Sequence, residues 1–169
     1  EECGREVGRI RMFGTHLQQG GKWDFSLYDR AFDAAERHGI RLFATLFPCT
    51  DELTDVGGFK FPSSKKHLEE IDAYTKAVVT HFRNHPALCA WVLQNEPGLA
   101  DATSVEMNDL SGPLYRDWAA ANLREKGPGE YLKADFSNED FLRFYTAWYL
   151  QHIAETVTAA DPEHGRHIN

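Results

Sequence analysis

The segment Ala87-Leu-Cys-Ala-Trp-Val-Leu-Gln-Asn95-Glu96-Pro97-Gly98 constrains this chain more than any other. Its apolar run is too short for a helix and lacks polar alternation, so it reads as a strand covered on both faces, as parallel strands are. The run stops at an amide, a carboxylate and a Pro-Gly turn, which puts Asn95 and Glu96 at the C-terminal tip of a buried strand. In parallel α/β folds active sites collect at such tips. A structural role stays open at this point, because a carboxylate at a strand end can also pair with a neighbouring cation.

Strands and helices alternate along the rest of the chain. A first strand spans Gly8 to Gly14 and a loop runs from Thr15 to Phe25. Ser26 and Asp29 have capping-box spacing, and Leu27, Ala31, Ala34, Ala35 and His38 share a helical face until Gly39 ends it. Ile40 to Phe47 is a second strand that Pro48 terminates. A long loop with Gly57-Gly58-Phe59 follows, then a helix capped by Ser63 or Ser64 with Leu68, Ile71, Tyr74, Val78 and Phe82 on one side. After the strand that leads to Glu96, a helix is predicted from Leu114 to Glu125, and Gly127-Pro128-Gly129 breaks the chain. Ser137 and Asp140 open another helix, presenting Phe141, Phe144, Tyr145, Trp148 and Val157, which Asp161-Pro162 closes. His167-Ile168-Asn169 begins a fourth strand.

This order, without a hairpin signal, predicts a parallel sheet built from right-handed crossovers. No G-x-G-x-x-G follows any strand, which argues against a dinucleotide-binding open sheet. Long loops follow the strands and short turns follow the helices, as in a (β/α)8 barrel with its site on the C-terminal face. Such a barrel usually needs about 250 residues. The 169 residues are therefore expected to be a fragment of a single TIM-barrel catalytic domain.

Composition narrows the partners. A net charge of -8 and no Lys/Arg cluster disfavour nucleic acid, and no apolar stretch is long enough to span a bilayer. Four Trp, six Tyr and eleven Phe supply flat apolar faces suited to sugar rings as well as to a core. Cys3, Cys49 and Cys89 lie far apart, without disulfide-framework or zinc-ribbon spacing, and are expected as free thiols.

The run from Arg83-Asn84-His85-Pro86 through Ala90-Trp91 to Asn95-Glu96-Pro97 resembles the fourth-strand signature of clan A glycoside hydrolases, retaining enzymes on a (β/α)8 barrel. Trp23-Asp24-Phe25, Tyr28-Asp29 and Ala35 to Ile40 resemble the segment joining that clan's second and third strands. Trp118 to Gly127 and Phe141 to Asn169 resemble the insert and fifth strand of family 42 β-galactosidases. Pro97 and the Gly57-Gly58-Phe59 loop look more like family 5 mannanases and endoglucanases. The resemblance implies an α/β fold, a partial barrel matching strands two to five, and a carbohydrate substrate. It implies no cofactor.

By the same resemblance Glu96 matches the proton donor, Asn95 the amide that binds the sugar hydroxyl beside the reacting carbon, and Arg11 the arginine that orients the nucleophile. Arg11 as a plain structural arginine is the alternative. Retaining chemistry needs a second carboxyl about 5 to 5.5 Å away; the clan's nucleophile ends strand seven, and no residue here matches it. His16 and Trp23, after the first strand, are candidates for a sugar subsite, with core packing as the other role for Trp23. His81 and His85 have the spacing of a metal pair, but His85 lies in the Asn-His-Pro turn, and no metal site is assigned. A half barrel would expose two unpaired strand edges, so the remainder of the barrel or a self-association partner is expected to cover them. The leading reading is a retaining hydrolase of β-linked sugars, most like a family 42 β-galactosidase; its rivals are an endo-acting mannanase or cellulase and, from another class, a non-catalytic carbohydrate-binding half barrel.

Overall fold

A computed structural model describes residues 6–48, 61–62, 64–95, 105–126 and 138–168. Cys3, Cys49, Gly57-Gly58-Phe59, Ser63, Glu96, Gly127-Pro128-Gly129 and Ser137 lie outside the described residues. Four strands form one sheet: β1 (Val7–Phe13), β4 (Arg41–Phe47), β5 (Leu88–Gln94) and β6 (Gly165–Ile168), neighbours in that order. Every pairing among them is parallel, with Arg11 beside Thr45 and Thr45 beside Val92. The helices α2 (Ser26–Arg37), α3 (Lys65–Phe82) and α5 (Asn138–Ala160) connect them, and α4 (Ser111–Lys126) precedes α5.

The two sides of the sheet follow from the period-two alternation of strands. Met12, Leu42, Ala44, Leu46, Trp91 and Leu93 pack with residues of the helices in one buried core. Alternate residues Arg9, Phe43, Val92 and His167 face the other way and line an open hollow of about 510 Å³. Helices on one face and a lined hollow on the other are the two faces of a (β/α)8 barrel wall. The architecture is a partial barrel. The helix-to-strand turns 38–40, 83–87 and 161–164 are short, whereas the connections 48–64 and 95–110 are long.

Helix α5 shows how its sequence makes the packing. Phe141, Tyr145, Tyr149, Ile153 and Val157 recur every four residues and are all buried, a stripe aimed at α3 and the sheet. Tyr149 and Ile153 belong on that stripe, while Phe144 and Trp148 are only partly buried at its border. Ser64 caps α3, its Oγ accepting the N–H of His67 at 3.0 Å. Tyr74 of α3 then joins two strand ends: its hydroxyl accepts the N–H of Phe47 at 3.1 Å and donates to the carbonyl of Met12.

Three local expectations are corrected. The segment after β1 contains a short helix, α1 (Gly14–Leu17), and a hairpin of β2 (Gln18–Gln19) with β3 (Lys22–Trp23). Gly20 and Gly21 turn it with φ of +60° and +78°, the backbone a two-residue primed turn requires. On α2 the buried residues are Tyr28, Phe32 and Ala35, and Leu27 is exposed, because two aromatic rings four residues apart offer more surface to bury than a face of alanines. Ser26 does not cap α2 through its side chain; its N–H instead donates to Asp24 Oδ1 at 2.9 Å. Gly39 does end that helix, at φ +66°, with the N–H of Ile40 closing on the carbonyl of Ala35, a Schellman motif.

Candidate active site

Asn95 follows β5 at its C-terminal end and is 4% exposed. Its Oδ1 accepts a hydrogen bond from Arg9 Nη2 at 2.5 Å. The same guanidinium donates through Nε to Thr45 Oγ1 at 2.7 Å, and Thr45 is fully buried. One side chain of β1 therefore links the middle of β4 to the end of β5. A guanidinium has only donors, so the Asn95 atom that meets it is the carbonyl oxygen and the amide nitrogen is the donor end.

Arg11 stands two residues further along β1, on the same face as Arg9 and nearer the C-terminal rim. It makes no hydrogen bond or ion pair among the described residues. The arginine that reaches Asn95 is thus Arg9, which the sequence did not single out. The signal that was present is the Arg9-x-Arg11 spacing, which puts both guanidinium groups on one strand face. Gln94 adds a buried side-chain oxygen without a partner among the described residues.

His16 and Trp23 gather around the segment after β1. The His16 Nδ1 lies 3.4 Å from the Tyr28 hydroxyl, and its ring meets Phe13 edge-on at 5.4 Å. Phe13 in turn touches Phe47 at 4.9 Å, at the ends of β1 and β4. Trp23 is 36% exposed and stacks on Phe25 with 13° between the rings. The hydrogen bonds and ring contacts of these two residues do not include Asn95 or Arg9.

The two histidines of α3 and its turn pair with different carboxylates of α2. His81 Nε2 lies 2.6 Å from Asp29, and His85 Nε2 lies 3.4 Å from Asp33. Asp33, Glu36 and His85 bring one ligand atom each within 4.8 Å of one another. The His85 Nδ1, however, accepts the N–H of Ala87 at 3.2 Å. That leaves the ring proton on Nε2, the nitrogen a metal would have to occupy bare. The group pins the turn into β5. Cys89 is a half-buried free thiol, and no helix among the described residues is long and apolar enough to cross a membrane.

No family model matches the chain. A probable mannan endo-1,4-beta-mannosidase F of Aspergillus oryzae is 32% identical over 96 residues, which cover 50% of this chain and 20% of that protein. A second probable mannosidase F, of Neosartorya fischeri, is 35% identical over 80 residues, 40% of this chain and 17% of the other. The beta-galactosidase of the Antarctic haloarchaeon Halorubrum lacusprofundi superposes with a TM-score of 0.73 over 97% of this chain and 32% of its own, at 18% identity. The beta-galactosidase of Marinomonas ef1 gives 0.70 over the same shares at 13%. Sequence and fold likeness meet in the clan A glycoside hydrolases. The chain spans about a fifth of the length of the mannosidases it matches. The likeness to the two beta-galactosidases spans nearly the whole of this chain and is one of fold.

Proposed function

We propose that this chain carries the proton-donor half of a retaining glycosidase that cleaves β-linked sugars. The observation that carries the reading is Asn95, buried at the tip of β5 directly before Glu96 and held by a charge-assisted hydrogen bond. A buried amide clamped at the rim of a barrel wall is suited to bind one hydroxyl of a sugar. In this reading Glu96 protonates the glycosidic oxygen while a carboxylate outside residues 1–169 attacks the anomeric carbon, and the leaving group departs as an alcohol. Glu96, now ionised, then takes a proton from the water that hydrolyses the glycosyl ester. Arg11, at the rim of β1, orients that nucleophile, and His16 and Trp23 border the sugar.

The edges of the four-stranded sheet, β1 and β6, meet the remainder of the same barrel, so residues 1–169 alone are inactive. Proton NMR of the first sugar released by the complete enzyme tests the class. The β-anomer is expected first, and the α-anomer would refute retention.

Two substrates divide the support. Similarity to mannan endo-1,4-beta-mannosidases at 31–32% identity favours β-1,4-linked mannan. The galactosidase likeness, at 12–18% identity, speaks for the fold and leaves β-galactosides second. A panel of soluble mannans and glucans against aryl β-glycosides separates them: release of oligosaccharides from mannan supports the first, and turnover of aryl galactosides alone supports the second.

A further inference from the structure

We infer that Arg9 is a positioning residue that orients the Asn95 amide for the hydroxyl beside the reacting carbon. The inference rests on the reading of Asn95 proposed above. Arg9 sits two positions below Arg11 on β1, in the layer of the hollow rather than at its rim. Its side chain runs up the sheet face, donating from Nε to Thr45 Oγ1 at 2.7 Å and from Nη2 to Asn95 Oδ1 at 2.5 Å.

Both acceptors are buried, Thr45 at 0% and Asn95 at 4% exposure. The Thr45 contact is what makes the second one directional. A guanidinium is planar, so anchoring Nε sets the plane in which Nη2 points. The amide of Asn95 can rotate about its last torsion with little intrinsic preference. Arg9, which can only donate, removes that freedom by taking the carbonyl oxygen as its acceptor, which leaves the nitrogen as the donor end of the amide. A lysine in its place has one point of charge and no plane, and it cannot hold both oxygens in this geometry.

Hydrogen bonds to the sugar 2-hydroxyl strengthen in the transition state of glycoside hydrolysis. Misorienting Asn95 therefore lowers turnover specifically through that hydroxyl. In the complete enzyme, Arg9→Met, Arg9→Lys, Thr45→Val and Asn95→Ala are compared on an activated aryl β-glycoside and its 2-deoxy counterpart. The wild type prefers the hydroxylated substrate. Arg9→Met loses roughly ten- to a hundredfold in kcat/KM on that substrate, as expected for one charge-assisted hydrogen bond. It loses much less on the 2-deoxy substrate, so the preference narrows as it does in Asn95→Ala. Arg9→Lys and Thr45→Val fall between wild type and Arg9→Met. Equal losses on both substrates, or an unchanged preference in soluble Arg9→Met and Arg9→Lys, would overturn the role. If Asn95→Ala itself keeps the preference while the wild type remains a glycosidase, the reading of Asn95 fails and the role of Arg9 falls with it.

Discussion

The indole Nε1 of Trp91 donates to Oδ2 of Asp161 at 2.8 Å, tying the strand that leads to Asn95 to the turn before β6. Both residues are buried. Asp161 also accepts the N–H groups of Glu163 and His164, at 3.1 and 3.2 Å, and lies 2.8 Å from His164 Nδ1. Replacing Asp161 with Ala leaves the indole N–H without its acceptor in the core, which costs about 1–3 kcal/mol. Urea unfolding of Asp161→Ala measures this. A midpoint equal to that of the wild type would show that the turn holds without the carboxylate.

The same carboxylate makes stability depend on acid pH. Burial works to raise the Asp161 pKa, but the Trp91 indole, the N–H groups of His164 and Glu163 and the His164 ring together outweigh it and hold it below 3.8. A carboxyl lowered in the folded state contributes stability that is complete above its unfolded value and is lost as pH falls through the folded one. The difference in unfolding free energy between wild type and Asp161→Asn is therefore steady near neutrality and shrinks below about pH 4. Urea titrations across that range read it directly, and a difference that persists undiminished in strong acid contradicts it.

Tyr74 gives a separate test of the site's foundation. Its hydroxyl serves the N–H of Phe47 and the carbonyl of Met12, at the C-terminal ends of β4 and β1. Tyr74→Phe removes both partners at once without changing the ring, for an expected loss of about 1–3 kcal/mol. Amide hydrogen exchange at Phe47 should accelerate along with the fall in stability. Unchanged exchange there would mean that other contacts hold the two strand ends.

Much of this was legible because long apolar patterns survive tertiary context. The face of α3 through Ile71, Tyr74, Val78 and Phe82 and the buried strand before Asn95 follow from spacing alone. The hairpin at Gln18 to Trp23 was not, since two-residue strands carry no period to read. The face of α2 came out one residue off, as Tyr28 and Phe32 outweigh a run of alanines that pattern counting treats as equal. The role of Arg9 is illegible in the sequence for a different reason. Its partners Thr45 and Asn95 lie 36 and 86 residues away, and only the register of three parallel strands brings them within reach. In the sequence Thr45 is a single hydroxyl within the strand Ile40 to Phe47.

The role of Glu96 as proton donor is tested most directly by the leaving-group dependence of Glu96→Gln in the complete enzyme. An amide cannot protonate the departing oxygen, so sugars and alkyl glycosides with poor leaving groups should lose about a thousandfold or more in kcat/KM, within the range of general acid catalysis. An activated aryl glycoside, whose phenolate departs without a proton, should cleave at close to the wild-type rate in its glycosylation step. Equal loss on both substrates, or no loss on either, would contradict Glu96 as the acid.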